Sequence, residues 1–160
     1  MTDWAGHAAQ RTLEKKRLHD QGIERANRVT QIKAEAGPRL FKQLFDWLNK
    51  QVATYNDKLA QGSDEADELV VNLAQSSKPA PEMPDSEIVI VRRGGKKEPL
   101  KIWYSAVRGI LSYECEGRRE EFVLYVGDDD QPFFKTESDT PQTIEEIGTE
   151  ALNKFLASKR

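Results

Sequence analysis

The sequence predicts an α+β fold: a long, kinked N-terminal helical region, then a four- or five-stranded antiparallel β-meander closed by a C-terminal helix. Three observations predict it. Strong helix formers fill the first 62 residues, short alternating apolar runs begin at residue 87, and the segment 76–85 between them holds three prolines. The predicted units are therefore a helical arm or helical hairpin (1–62), a short helix with a proline-rich linker (63–86), and a meander with its C-terminal helix (87–160).

The first helical segment, 8–36, is predicted from helix propensity more than from pattern. It contains no proline and few apolar residues, so alone it is marginal and needs a partner surface. Gly37 and Pro38 then predict a kink or a break, because proline lacks a backbone N–H and disfavours helical geometry in the residue before it. The order of residues 1–36 in isolation stays open from the sequence.

The clearest helical pattern follows Pro38. Apolar side chains recur there every three or four residues, from Leu40 to Leu59. Burying each large side chain recovers roughly 1.5–3 kcal/mol, so this face must pack on another surface. The alternatives are the first helix folded back as a hairpin, the β domain, or a second copy of the chain. The predicted partner-binding residues are Leu40, Phe41, Leu44, Phe45, Leu48 and Val52.

A short helix is predicted over 64–74, with Ser63 or Asp64 as its cap and acids in its first turn. A strand is the alternative for Leu69–Val71. Later strands are predicted from alternating runs of aromatic and β-branched residues joined by short turns. They are Glu87–Arg93, Leu100–Ser105, Gly109–Cys115, Glu120–Val126 and Pro132–Thr136.

Several predicted strands are apolar on both faces, which suits a sheet that is covered on both sides. A C-terminal helix with Thr140 as its cap and Pro141 in its first turn covers one face. Its apolar stripe is Ile144, Ile147, Ala151, Leu152, Phe155 and Leu156. The other face then needs the Leu40–Leu59 helix or a partner subunit.

Gly94 and Gly95 stand between two apolar runs, as in a hairpin turn, and the phosphate-loop motif fails there because Lys97 replaces its Ser or Thr. The basic residues nearby form a candidate anion-binding set: Arg92, Arg93, Lys96, Lys97, Arg118 and Arg119. In a meander both basic turns lie at one end of the sheet. Nucleic-acid binding is the alternative function, with Trp103, Tyr104 and Tyr113 as stacking platforms.

No pattern predicts a cofactor, a metal site or a catalytic site. The acids Asp128–Asp130 lack the EF-hand spacing and predict a solvated turn, and His7 and His19 are too far apart for paired helical ligands. The one cysteine, Cys115, lies between two glutamates that raise the pKa of its thiol. An enzyme without a recognisable motif is a weaker alternative than a non-enzymatic protein.

Charge is unevenly distributed along the chain. Residues 1–62 carry a net +4 and residues 63–160 a net −7, so the two parts should attract each other or each other's copies. No apolar run reaches the roughly 20 residues that span a bilayer, and the start has no signal-peptide core, which predicts a cytoplasmic protein. The functional hypothesis is a protein-interaction or self-assembly module that uses its N-terminal helical region to bind itself or another protein.

Overall fold

The computed structural model describes residues 3–62, 67–80, 84 and 86–158. A single long helix, α1, precedes seven strands, and a second helix, α2, follows them. Their bounds are α1 Trp4–Leu59, β1 Leu69–Gln75, β2 Ser86–Arg92, β3 Leu100–Ser105, β4 Ile110–Cys115, β5 Arg118–Val126, β6 Pro132–Lys135, β7 Pro141–Gln142 and α2 Ile144–Ala157. The α+β class, the antiparallel sheet and the closing helix predicted from the sequence are confirmed.

The strands form one antiparallel meander in the order β1 to β7. All five predicted strands are present within a few residues of their predicted bounds, but the sheet has seven strands because β1 and the short β7 extend its edges. The helix predicted over 64–74 is wrong for the described part of that range. Residues 69–75 pair with β2 along their whole length, so the sheet decides a conformation that the local sequence leaves ambiguous. Residues 63–66 lie outside the described residues.

Helix α1 continues through Gly37 and Pro38 without a break, so neither the break nor a helical hairpin forms. The spacing of apolar residues explains why the helix continues. Four residues separate each of Ile32, Ala36, Leu40 and Leu44 from the next, so the apolar side chains before and after Pro38 lie on one face. Packing along this face outweighs the cost of proline inside a helix.

Both helices pack on the same face of the sheet, called the helix face. This corrects the expectation that they would cover opposite faces. Gly148 of α2 permits the close approach, since a Cβ there would overlap the Trp47 ring of α1. The buried cluster of the helix face is Leu44, Leu48, Val52, Leu69, Ile88, Ile90, Leu100, Ile102, Tyr104, Leu111, Tyr113, Cys115, Phe122, Leu124, Phe134, Ile147, Ala151 and Phe155.

Helix α2 begins three residues later than predicted. Thr143 is its N-cap and forms a reciprocal capping box with Glu146, whereas Pro141 lies in β7. The predicted apolar stripe of α2 faces the core: Ile147, Ala151 and Phe155 are buried, and its remaining members pack against the cluster.

The other face of the sheet, called the second face, has a polar cover. Trp103 points to it and is fully buried, with Lys78 Nζ 4.2 Å and Arg119 Cζ 4.8 Å from its ring centroid. The neighbouring Glu87 is buried as well and accepts a hydrogen bond from Ser77 Oγ (3.2 Å). The chain after β1 therefore folds over this face, and cation–π contacts replace a second helical layer.

Candidate interaction surfaces

The first part of α1, Trp4–Glu24, projects from the rest of the protein and is called the arm; the remainder is called the body. None of the arm's residues is buried. In the described part of the chain, ion pairs and hydrogen bonds between α1 and the body begin at Arg25. At 1.5 Å per residue the arm is about 30 Å long. The arm therefore exposes a long helical surface to solvent.

The arm combines large apolar side chains with a basic cluster. Trp4, Leu13, Leu18 and Ile23 are 73%, 66%, 56% and 48% exposed. The cluster consists of Arg11, Lys15, Lys16 and Arg17. Large apolar residues exposed together on one helix are characteristic of surfaces that bind another protein.

The base of the arm is fixed by charge. Arg25 pairs with Asp130 and also donates to the carbonyl oxygen of Gly127 (2.7 Å), while Arg28 Nε lies 3.6 Å from Asp130 Oδ2. Asp130 occupies the left-handed region (φ 61°) in the β5–β6 turn. The predicted attraction between the basic and acidic parts of the chain thus occurs within one molecule. Asp130 of the Asp128–Asp130 turn is the acidic partner in these ion pairs.

The predicted partner-binding residues lie in the body. Leu44, Leu48 and Val52 are buried in its core, against the sheet and α2. The other three, Leu40, Phe41 and Phe45, are partly buried against the same cluster. Their apolar surface is used mainly by the chain itself, which leaves the arm as the exposed part of the same helix.

A groove of about 340 Å³ lies beside the partly buried members of this set. Phe41 and Phe45 form one wall, and Leu73 of β1, which is 53% exposed, and Val107 of the β3–β4 turn contribute to the other. The groove is therefore a mainly apolar surface next to the first edge of the sheet.

The two basic turns lie at one end of the sheet, as predicted, and Lys97 Nζ of one is 3.4 Å from Glu116 Oε1 of the other. Most of their cations bind groups of the chain. Arg92 donates to the carbonyl oxygens of Phe155 and Leu156 at the C-terminal end of α2. A cation at this end interacts favourably with the helix dipole.

The remaining members of the anion-binding set divide in the same way. Arg93 pairs with Glu68 (3.0 Å), and Arg119 lies over Trp103 and pairs with Glu121 (3.4 Å). Lys96 and Arg118 are exposed and form no ion pair in the described structure. The turn interpretation of Gly94 and Gly95 agrees with the N–H of Gly95 donating to Arg92 O (3.0 Å).

The proposed stacking residues are not available for nucleic-acid bases. Tyr104 and Tyr113 face the buried helix face, and Trp103 lies beneath Lys78 and Arg119. Tyr113 donates to Glu150 Oε1 (2.9 Å), and its burial raises the pKa of its hydroxyl to about 12. The neighbouring Lys154 binds Tyr113, Glu150 and Glu120, and these hydrogen bonds raise the pKa of its ammonium group.

The other candidate chemical groups have structural environments. Burial is the main cause that raises the pKa of the Cys115 thiol, and the charges of Glu116 and Glu98 raise it further. The direction agrees with the one predicted from the acids beside Cys115. His7 and His19 are exposed on the arm. Within the described ranges, no three His, Cys, Asp or Glu side chains are grouped to hold a metal ion. Neither described helix combines the length and apolar character needed to cross a membrane.

No protein-family model, no curated protein and no solved structure matches this chain. The sequence pointed to the apolar stretch after Pro38 as the interaction surface, and the structure places that stretch mainly in the body. The spacing of apolar residues distinguishes the arm from the rest of α1. After Pro38 the spacing is regular because these side chains form a core, whereas Leu13, Leu18 and Ile23 are irregularly spaced and exposed.

Proposed function

We propose that the protein is a non-enzymatic interaction module in which the body holds the arm out to bind another protein. The observation that carries the proposal is the arm itself, a helix that extends about 30 Å past its last contact with the body and exposes Trp4, Leu13 and Leu18. A polar helix of this length is only marginally stable without packing contacts. A bound partner would therefore add to the stability of the arm.

The residues of the arm indicate the chemistry of that partner. Trp4, Arg11, Leu18 and Arg25 are seven residues apart and therefore lie on nearly the same side of the helix. The side of α1 that contacts the body at Arg25 therefore continues along the arm. It carries two apolar side chains, Trp4 and Leu18, with the cation of Arg11 between them. A groove that is apolar at its floor and acidic at its rim would complement this surface, in the manner of a helix-in-groove complex.

The proposal is tested by site-specific photo-crosslinking in cells of the source organism. A crosslinking amino acid at Leu18 should give a discrete adduct with a different protein, whereas the same group at Val107, which is 86% exposed on the body, should not give that adduct. The adduct partner is then purified and its affinity for the wild-type chain is measured by calorimetry.

Two variants examine the apolar and the charged contributions separately. Leu18→Asp should weaken binding by about tenfold or more, because it places a charge against an apolar groove. Arg11→Glu should weaken it and also reduce its dependence on salt. Val107→Asp is the matched control and should bind as the wild type does. Equal affinities for Leu18→Asp and wild type would refute the proposal, and an adduct with a second copy of the chain would reassign the arm to self-assembly.

The contacts of the basic turns do not favour the alternative of nucleic-acid or anion binding, since four of those six residues bind groups of the chain itself. Anion binding at the turns stays a prediction from the sequence.

A further inference from the structure

β1 is an edge strand of the sheet, and part of its backbone points away from β2. The contacts of Glu68 and Leu69 at the start of β1 show which of its backbone groups point away from β2. Arg93 N–H donates to Glu68 O (2.8 Å), whereas Leu69 N–H donates to Asn56 Oδ1 (2.9 Å) and Leu69 O accepts from Asn56 Nδ2 (2.8 Å). Residues of an antiparallel strand alternate between bonding their neighbour and pointing away from it. The outward groups are therefore those of Leu69 and of every second residue after it.

Three residues continue this outward series: Val71, Leu73 and Gln75. Asn56 occupies the first position, since its amide bonds to Leu69 as the backbone of a neighbouring strand would. In the described residues, no side chain or backbone group bonds the outward N–H and C=O groups of the other three. The edge thus offers three donors and three acceptors in the spacing of a strand.

The features that protect exposed edges in other proteins are missing from β1. Such edges usually carry charged residues, proline, a bulge or a short length. β1 is "LVVNLAQ", seven residues without a charge or a proline, and its register with β2 is unbroken. Leu73, at its centre, is 53% exposed beside the apolar groove formed with Phe41 and Phe45. An unpaired edge with these properties is a template for another strand.

We propose that β1 pairs antiparallel with β1 of a second copy, about a twofold axis at Leu73, so that two sheets join into one. In this register the outward groups of Leu73 meet those of the same residue in the second copy, and Val71 meets Gln75. Each such pair exchanges two hydrogen bonds, so all three outward residues of each strand are satisfied. Leu69 stays bonded to Asn56, and the pairing ends where that amide blocks the edge.

Self-complementarity favours a second copy over a foreign peptide. The same segment supplies donors and acceptors in matching positions on both sides, as an isologous interface requires. The strand has no charge, so antiparallel self-pairing brings no like charges together. It also brings both exposed Leu73 side chains together on the helix face, where each is next to a groove that is lined by aromatic rings.

The experiment begins with the mass of the full chain by light scattering over a range of concentration and salt. A dimer whose dissociation is insensitive to salt is expected, because its contacts are backbone hydrogen bonds and apolar side chains. Leu73→Lys should raise the dissociation constant by about tenfold or more, because two cations then face each other across the axis. Asn153→Lys adds the same charge at an exposed position of α2, outside both β1 and the groove, and should keep the wild-type dimer.

The register is tested by disulfide formation in a Cys115→Ala background. Leu73→Cys places two thiols opposite each other, with Cα atoms about 5.5 Å apart, within reach of a disulfide. Gln75→Cys instead faces Val71 of the second copy, and should form far less crosslinked dimer under the same mild oxidation. Thermal melting of each variant checks that the body remains folded.

Three outcomes of these measurements would overturn the proposal. They are a wild-type monomer at every concentration, a dimer that Leu73→Lys leaves intact, and crosslinking of Gln75→Cys as fast as Leu73→Cys. The inference is independent of the arm, since Leu18→Asp should leave the dimer unchanged. A dimer that Leu18→Asp disrupts would place the contact on the arm and remove it from β1.

Discussion

Gly37 of α1 lies directly against the phenol ring of Tyr104 in β3, so closely that a Cβ on Gly37 would overlap the ring. The contact occurs in the middle of a continuous helix, where alanine is otherwise preferred over glycine. The glycine therefore serves the packing of α1 on the sheet, and the flexibility it gives the helix is incidental.

Gly37→Ala should destabilise the protein by about 1–3 kcal/mol, because the overpacked methyl group displaces either Tyr104 or the helix. Gly22→Ala is the matched control, since apart from the adjacent backbone of the helix itself no atom lies within 4 Å of its Cβ position. That change should be neutral or stabilise by up to about 1 kcal/mol through helix propensity. Urea unfolding of both variants measures the difference, and a stabilising Gly37→Ala would show that the ring is easily moved.

Leu48→Ala should reduce the free energy of unfolding by about 2–5 kcal/mol, because Leu48 is fully buried between the sheet and α2. Leu13→Ala, on the same helix but 66% exposed, should change it by less than about 0.5 kcal/mol. Urea unfolding followed by circular dichroism compares the two. Similar losses would mean that the arm has a partner surface within the wild-type assembly.

The stability of the protein should fall as the pH rises through about 10 to 12. Tyr113 keeps its proton in the folded state up to a pKa of about 12, whereas the unfolded chain loses it near the ordinary value of 10. The raised pKa of Lys154 acts in the same direction, so both contributions are complete below these values and are lost at alkaline pH. Tyr113→Phe should flatten the decline measured by urea unfolding; an unchanged decline would assign it to other groups.

Asp130→Asn should loosen α1 near Arg25 without unfolding the body. The change removes the charge that binds Arg25 and Arg28, while asparagine still tolerates the left-handed conformation. The cost should be below about 1 kcal/mol, because these side chains are partly exposed. Faster amide exchange over residues 18–32 is the expected observation.

Asp139→Asn is the control for that experiment. Asp139 is also left-handed and pairs with Lys135 (2.9 Å), which is not a residue of α1. Its variant should leave amide exchange in α1 at the wild-type rate. Equal acceleration in both variants would show a general effect of lost charge instead of a local anchor.

The meander was predictable from the sequence because each strand after residue 86 carries its own signal and each connection is short. β1 was not, since "LVVNLAQ" fits a short helix after the acids at 64 and 65 as well as it fits a strand. Only its pairing with β2, which depends on residues 11 or more positions away, selects the strand. Likewise, Thr143 and Glu146 form the true capping box, but Thr140 followed by Pro141 is an equally good helix start in isolation.

The site was less predictable than the fold. Spacing identified an apolar face on α1, but one sequence does not show where the sheet ends beneath a helix, and that boundary near Arg25 separates core from arm. The open edge of β1 depends on which backbone groups point outward, a property that only strand pairing reveals. Asn56 gives no sequence signal, although its amide closes the first position of that edge.

Helix α1 crosses the sheet from the β5–β6 turn, where Arg25 is held, to the start of β1, where Asn56 bonds Leu69. The arm therefore leaves the body on the side away from β1. In a dimer joined at β1, the two arms would emerge roughly 50 Å apart, from strand spacings of about 4.8 Å. Such a molecule is bivalent: it would bridge two partner molecules, or hold a partner with two matching sites far more tightly than one arm can.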